Sequence, residues 1–179
     1  MTEKYLFTSE RLGFRTWRNS DLKEFAKLNA DPQVMAHFPK PLSKTESQDF
    51  IDRLKAHQDK HGFCYFATEL LETGAFIGFI GLAYQNYKTQ FTPAIDIGWR
   101  LSPPFWGKGF ATEGAKRCLQ FAFNDLNLGK IISTCIVQNK NSEKVMQKIG
   151  MSKIGLFNHP KLDAYPDMQR CVCYSKVGN

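Results

Sequence analysis

The segment WGKGFATEG, residues 106–114, places three glycines directly before a stretch with the apolar spacing of a helix. The first turn of a helix presents backbone N–H groups without partners and the positive end of the helix dipole, and both favour anions such as phosphate. Side chains at Gly107, Gly109 and Ala111 would keep a diphosphate away from these groups, so small residues suit an anion-binding loop. A tight turn without a ligand would also use glycine, for its conformational freedom, and the pattern alone leaves both interpretations open.

Other motifs that carry a known chemistry fit the sequence poorly. The dinucleotide-binding pattern G-x-G-x-x-G/A fails at its last position, where the chain has Thr112 in place of glycine or alanine. The P-loop pattern G-x-x-x-x-G-K-[ST] does not occur. Its four histidines have no metal-binding spacing, its five cysteines lack C-x-x-C, and G-x-S-x-G is absent. We therefore expect no metal site, no serine hydrolase, and buried free thiols rather than disulfides.

The elements that position the loop follow from hydrophobic periodicity. Strands are predicted at residues 11–17, 63–70, 76–83, 94–102, 130–137 and 170–176. Helices are predicted after an Asn19-Ser20-Asp21 cap, after the capping-box pattern Ser43-x-x-Glu46, at 112–126 and at 141–149. The three strands before the loop read as an antiparallel meander. In strand 94–102, Asp96, Gly98 and Arg100 share one face.

Composition limits the class of protein. The 179 residues suit a single domain, 1–179, and 42% hydrophobic with 23% charged residues is typical of a folded globular chain. No apolar run reaches the ~18 residues of a membrane helix, and the N-terminus has no secretory pattern, so we expect no membrane partner and a cytoplasmic location. The formal charge of +7 favours an anionic partner, although no basic block indicates nucleic-acid binding.

Several segments of the sequence resemble a known family. IDIGWRLSPPFWGKGFATEGAKRCLQFAF resembles the core of the GNAT N-acetyltransferases, whose acetyl-CoA loop reads Q/R-x-x-G-x-G/A; Trp106 departs at its first position. WGKGFATE, SERLGFRTW and NKNSEKVMQKIGM are similar to the branch that contains the RimJ- and RimL-type ribosomal-protein acetyltransferases. The resemblance implies an α/β (α+β) GNAT fold, a twisted, mixed, mostly antiparallel sheet with helices on both faces, in which neighbouring strands splay apart to admit the pantetheine arm.

The resemblance also implies a cofactor site. The pyrophosphate of acetyl-CoA would lie on the backbone N–H groups of Gly107, Lys108, Gly109, Phe110, Ala111 and Thr112. Leu101 would pair its backbone with the pantetheine, and Asn139 and Ser142 match the N-x-x-S of this branch near the thiol. A structural alternative stays open, in which Asn139 merely ends a strand and Asn141 or Ser142 caps the following helix.

Acetyl transfer needs a neutral amine, and amines are protonated at pH 7. Removing the proton costs about 1 kcal/mol for an α-amine and about 5 kcal/mol for a lysine. Asp96 occupies the place of the acidic residue in the related pattern EIG, so we expect it to act as a base, through a water, if it points into the cleft. The alternative is a surface carboxylate paired with Arg100. Met146 stands where many family members have tyrosine, which leaves Ser142 as the matched hydroxyl near the leaving thiolate.

We therefore predict an acyltransferase that moves acetyl from acetyl-CoA to a primary amine, on a protein N-terminus or a small molecule, by direct attack in a ternary complex. Two alternatives remain: a non-catalytic CoA-binding regulator, and a basic RNA- or ribosome-docking module. The sequence leaves open whether the protein forms a homodimer.

Overall fold

Eight strands form one sheet in the computed structural model, which describes residues 4–178. The strands are β1 (Phe7–Thr8), β2 (Leu12–Arg15), β3 (Tyr65–Leu70), β4 (Phe76–Gln85), β5 (Ala94–Leu101), β6 (Lys130–Ile136), β7 (Ser152–Asn158) and β8 (Arg170–Val177). The helices are α1 (Leu22–Ala30), α2 (Lys44–His61), α3 (Phe110–Gln120), α4 (Lys140–Lys148) and α5 (Pro166–Gln169). The strand order is β1-β2-β3-β4-β5-β6-β8-β7, and only the β5–β6 pair is parallel. The expected mixed, mostly antiparallel sheet is confirmed.

Helices cover both faces of the sheet. The ring of Phe79 in β4 lies 6.2 Å from Phe25 of α1 and 5.9 Å from Phe50 of α2. The next residue, Ile80, points to the opposite face, where α3 packs so closely that a side-chain carbon at Gly114 would collide with it. Residues of β5 that pair with Phe79 therefore face α1 and α2, and residues that pair with Ile80 face α3.

Several helices and strands differ in the structure from those predicted from the sequence. The helix expected at 112–126 begins at Phe110 and ends at Gln120, and Phe121–Asp125 continues it as a wider π-helical turn. The strands β1 and β7 were not predicted, because β1 has two residues and most of β7 is exposed, so neither has a buried apolar pattern. The capping box of α2 is confirmed, since Ser43 Oγ accepts from the amide of Glu46 and Glu46 accepts from that of Ser43.

A buried ion cluster joins the start of α1 to the sheet. Arg15 in β2 donates to both carboxylate oxygens of Asp21, at 2.7 and 2.8 Å, and to Glu69 of β3 at 2.7 Å. The expected Asn19-Ser20-Asp21 cap is confirmed by position, since Asp21 is the cap residue of α1. Its side chain makes no capping bond, because it accepts from Arg15 and from the Arg18 amide. All three side chains of the cluster are at least nine-tenths buried, so each charge depends on its partners.

The sheet opens between β5 and β6. Within residues 4–178, Asp96 and Ile132 are the one pair of residues in backbone register between these strands. A side-chain bond adds to it, since Ser133 Oγ donates to the Ile97 carbonyl at 2.9 Å. Beyond that point β5 continues along β4 alone, where the Ser102 amide donates to the Ile77 carbonyl. In antiparallel pairing this leaves the backbone groups of Leu101 directed away from β4, into the opening.

Candidate active site

A cavity of about 820 Å³ occupies the opening between β5 and β6. Its walls come from β5, the glycine loop, β6, the start of α4 and the segment between α1 and α2. The predicted site residues on this wall are Asp96, Leu101, Gly107, Gly109, Phe110, Ala111, Thr112, Asn139 and Ser142. Lys108 does not line the cavity; it is exposed, and its carbonyl accepts a hydrogen bond from Arg11.

The glycine loop ends at the first turn of α3. Gly107 and Gly109 have φ values of +73° and +82°, a left-handed conformation that strongly favours glycine. Gly109 is the N-terminal cap residue of α3, and its carbonyl accepts the first helical hydrogen bond from the Glu113 amide. Since glycine has no side chain to cap the helix, the amides of the first turn face the cavity wall without a capping group.

Trp106, which departs from the family pattern, has a structural role at the start of the loop. Its indole N–H donates to the Leu101 carbonyl at 2.6 Å and so ties the loop to the end of β5. That carbonyl is the group expected to contact the pantetheine. A carbonyl oxygen has two lone pairs, so it can accept from the indole and from a ligand at the same time.

Arg11 and Glu113 fix the loop from outside, and sequence reasoning did not identify this pair. Glu113 accepts from the Arg11 amide at 2.8 Å, from Arg11 Nε at 2.7 Å and from Ser9 Oγ at 2.7 Å. These bonds hold the pKa of Glu113 below its ordinary value, against the effect of burial. Arg11 also donates to the Lys108 carbonyl and lies 4.4 Å from the centre of the Phe110 ring. The loop is thus held by residues about a hundred positions earlier in the chain.

Asp96 lies in β5 on the wall of the same cavity, and it is buried, with 8% of its surface exposed. Its Oδ1 accepts from the Tyr65 hydroxyl at 2.7 Å, and Gln85 Nε2 donates to that hydroxyl at 3.3 Å. Burial raises the pKa of Asp96 from 3.8 to about 6, although its hydrogen bonds oppose the rise. The alternative in which Asp96 is a surface carboxylate paired with Arg100 is wrong, because Arg100 donates to Asn29 instead.

Tyr65 is a further site residue that the sequence analysis missed. Its ring stacks on Phe79, with centroids 5.1 Å apart, and lies over Gly98 between Asp96 and Arg100. A β-carbon at Gly98 would come within 3.1 Å of this ring, and one at Gly81 would collide with the β3 backbone. Gly81 of β4 and Gly98 of β5 pair with each other. These two glycines were the feature of the sequence that could have indicated a large side chain lying across this face.

Asn139 and Ser142 lie where β6 leads into α4. Asn139 is the cap residue, and its Oδ1 accepts from the Ser142 amide at 3.1 Å, so the alternative with Asn141 or Ser142 as the cap is wrong. The capping bond uses the Asn139 oxygen and leaves the Ser142 hydroxyl beside the cavity. Met146, one turn further along α4, is 1% exposed and belongs to the core, although its side chain also borders the cavity.

The cysteines beside the cavity are protonated thiols at neutral pH. Burial raises the pKa of Cys135 to about 12 and that of Cys171 to about 11. A thiol is a poor nucleophile compared with its thiolate. Within residues 4–178, no group of three or more His, Cys, Asp or Glu side chains is arranged to hold a metal ion. The same part of the chain has no helix that is both apolar and long enough to cross a bilayer.

Comparison with known proteins identifies the family. The model of the acetyltransferase (GNAT) domain matches residues 11–152, so the chain belongs to the GNAT family and is an acyltransferase. The uncharacterized N-acetyltransferase YnaD of Bacillus subtilis is 30% identical over 151 residues, 84% of either chain. The FsC-acetyl coenzyme A-N(2)-transacetylase of Aspergillus fumigatus is 32% identical over 143 residues, 75% of this chain and 60% of that protein.

A solved structure has the same fold. The putative ribosomal-protein-serine acetyltransferase from Vibrio cholerae superposes with a TM-score of 0.79, over 99% of both chains and at 17% identity. This likeness extends to β7 and β8 at the far edge of the sheet, beyond the residues that the family model matches.

Proposed function

We propose that the protein transfers acetyl from acetyl-CoA to a primary amine, on a small molecule or a protein N-terminus, by direct attack within a ternary complex. The observation that carries this proposal is that one cavity contains both the uncapped first turn of α3 and the buried carboxylate of Asp96. The first can hold a diphosphate and the second can take a proton from an amine. The relative from Aspergillus fumigatus, whose name specifies acetyl coenzyme A, supports this choice of donor.

The cofactor would be held by backbone groups more than by side chains. The amides of Gly107 to Thr112 would bind the pyrophosphate, with Gly109 and Ala111 allowing its close approach. The Leu101 backbone would bind the pantetheine in the opening between β5 and β6. Asn139 and Ser142 would lie beside the thioester end. Lys108 would contribute its amide, since its side chain lies outside the cavity wall.

Asp96 would act as the base. It accepts one proton from the acceptor ammonium, directly or through a water, and the neutral amine attacks the thioester carbon. As the C–N bond forms and the C–S bond breaks, the electron pair leaves on the CoA sulfur. The nitrogen loses its second proton and the sulfur gains one, from solvent or by way of Ser142. A pKa of about 6 suits this role, because the carboxylate is ionised at pH 7 and yet more basic than an exposed one.

Direct attack is favoured over a covalent acetyl-enzyme. An acetyl-cysteine intermediate would need a thiolate, and burial keeps both thiols beside the cavity protonated. Tyr65 would position Asp96 through its hydrogen bond without entering the reaction itself. Much of the rate would then come from holding amine and thioester together.

The proposal is tested by intact-mass measurement of a panel of amines and peptides, incubated with the protein and acetyl-CoA. We expect an acceptor to gain one acetyl group only when both are present. Calorimetry that detects acetyl-CoA binding while no amine in the panel is acetylated would instead support a CoA-binding regulator. Binding of RNA with a steep salt dependence, and none of acetyl-CoA, would support the docking module.

A further inference from the structure

We propose that Arg100 binds a carboxylate of the acceptor, so that the preferred substrate is a primary amine that also carries a carboxylate several bonds from the amino group. This inference rests on the proposed function and names its substrate class. The site is the part of the cavity enclosed by Arg100, Phe38 and Phe50 on the α1–α2 face of the sheet.

Arg100 is a buried charge without a charged partner. Only 9% of its surface is exposed, and its Nη1 donates to Asn29 Oδ1 at 2.7 Å, while its Nε has no hydrogen-bond partner. Within residues 4–178, no carboxylate lies within ion-pair distance of it. Burial lowers the pKa of Arg100 to about 10, which still leaves the guanidinium charged at neutral pH.

Such an arrangement is costly unless something pairs with the charge. Buried guanidinium groups normally have a carboxylate or phosphate partner, and an unpaired donor in the interior loses its hydration without compensation. The aromatic rings of Phe38, Phe79 and Phe50, at 4.2, 5.4 and 5.7 Å, offset part of this cost. They leave Nε buried and unsatisfied. Arg100 nevertheless lines the wall of the cavity, so a ligand carboxylate would meet the guanidinium at its Nη groups.

The charge of the cavity lining agrees with an acceptor that carries a carboxylate. Its lining side chains include the cations Arg100, Lys144, Lys148 and Lys161, and Asp96 is the one acid among the lining residues described. A polyamine would meet repulsion in this cavity. An acceptor with one amine and one carboxylate can direct its amine to Asp96 and its carboxylate to Arg100.

The cofactor phosphates do not explain Arg100. Arg100 pairs with Phe79 and so faces α1 and α2, whereas the glycine loop begins α3, which packs on the opposite face. The guanidinium and the expected pyrophosphate position therefore lie toward opposite faces of the sheet, at different parts of the cavity that passes through the opening between β5 and β6. On its own face Arg100 shares the strand with Asp96, four residues away, a Cα separation of about 13 Å. This separation suits an ω-amino acid, or a peptide N-terminus followed by an acidic side chain, better than an α-amino acid.

The test compares matched acceptors in the intact protein. One set is an ω-amino acid, its primary amide and the diamine of equal chain length; the other is a pair of peptides with glutamate or glutamine at the second position. We expect kcat/KM for each carboxylate to exceed that for its amide on the order of 10- to 100-fold, as for a hydrogen bond between charged groups. The two sets distinguish a small-molecule acceptor from a peptide.

Arg100→Gln should abolish this preference by raising KM for the carboxylates, with little change for the amides. Arg100→Lys keeps the positive charge but lacks the planar guanidinium that binds a carboxylate through two N–H groups, so it should retain part of the preference. Arg53→Gln is the matched control, because Arg53 is exposed on α2 and also lies over the Phe50 ring, 5.4 Å from its centre. It should leave the preference unchanged.

Equal kcat/KM for carboxylates and amides in the unaltered protein would overturn the inference, even if Arg100→Gln failed to fold. A preference that survives Arg100→Gln would overturn the assignment to Arg100. Acetylation of other amines with no carboxylate preference would refute this inference and leave the proposed function intact. If no amine were acetylated, the proposed function would fail, and calorimetry of the ω-amino acid and its amide with CoA present would still decide the binding preference.

Discussion

Replacing Asp96 with asparagine should make the protein more stable while it removes the proposed base. Burial raises the pKa of Asp96 from 3.8 to about 6, which means that the folded state disfavours the ionised carboxylate. Each pH unit corresponds to 1.36 kcal/mol, so the ionised carboxylate costs about 3 kcal/mol of folding free energy at neutral pH. Asparagine is neutral and of similar size, and its oxygen can still accept from Tyr65. It should therefore recover most of this free energy.

The stability advantage of Asp96→Asn should grow as the pH rises. Between pH 3.8 and about 6 the folded protein binds a proton at Asp96 that the unfolded chain has released. Raising the pH through this window therefore destabilises the natural protein relative to Asp96→Asn. The difference should be about 1.5 kcal/mol at pH 5, about 3 kcal/mol at pH 7, and constant above that.

Urea unfolding of both proteins from pH 4.5 to 8 measures this difference. Asp59→Asn is the control, because Asp59 is an exposed carboxylate on α2, and its effect on stability should be small at every pH. An Asp96→Asn protein that is no more stable than the natural one, or a difference that does not grow with pH, would show that Asp96 is not a buried carboxylate with a raised pKa.

Three further substitutions test other parts of the account. Gly109→Val should abolish acetyl-CoA binding in calorimetry, since a side chain would block the first turn of α3 and φ is +82° there. Met146→Leu should leave turnover nearly unchanged, as a volume-conserving core substitution costing less than ~1.5 kcal/mol, whereas Ser142→Ala should lower the rate or cofactor affinity more. Arg15→Met should reduce the free energy of unfolding by about 3–5 kcal/mol in chemical denaturation, because it leaves two buried carboxylates without their shared partner.

Each of these predictions has a result that contradicts it. Gly62→Val is the control for Gly109→Val, because Gly62 has a similar φ of +78° at the C-terminus of α2, away from the cavity. If both variants bind acetyl-CoA equally well, the loop is not the phosphate site. A larger kinetic loss in Met146→Leu than in Ser142→Ala would mean that the thiol end is misplaced. An Arg15→Met protein as stable as the natural one would contradict the role of the ion cluster.

Local sequence patterns predicted the elements around the site well. The glycine pattern before α3 and the capping box of α2 depend on interactions within a few residues, which the sequence displays directly. The boundary of α3 was misplaced, because Gly109 itself occupies the cap position and the helix starts immediately after it. The strand β7 was missed because its side chains are mostly exposed and carry no alternating apolar pattern.

Contacts between distant residues could not be predicted in the same way. Arg11 and Glu113 are 102 positions apart, and Tyr65 and Asp96 are 31 apart. The direction of Asp96 was also undetermined, because helices cover both faces of β5 and alternation along the strand then does not distinguish buried from exposed positions. The pairing of the strands in the folded sheet places the Tyr65 ring over Gly98, on the same face of β5 as Asp96, and Asp96 is buried there.

The role of Asp96 as the base is tested most directly by the pH–rate profiles of the natural protein and Asp96→Asn, with calorimetry confirming that both bind CoA. At pH 7, kcat/KM should fall on the order of 10²–10⁴-fold in the variant, and more for a lysine amine than for an α-amine. The deficit should shrink as the pH rises, because solution then supplies neutral amine without a base. Parallel profiles of near-equal height would contradict the account and assign proton removal to solvent or to another residue.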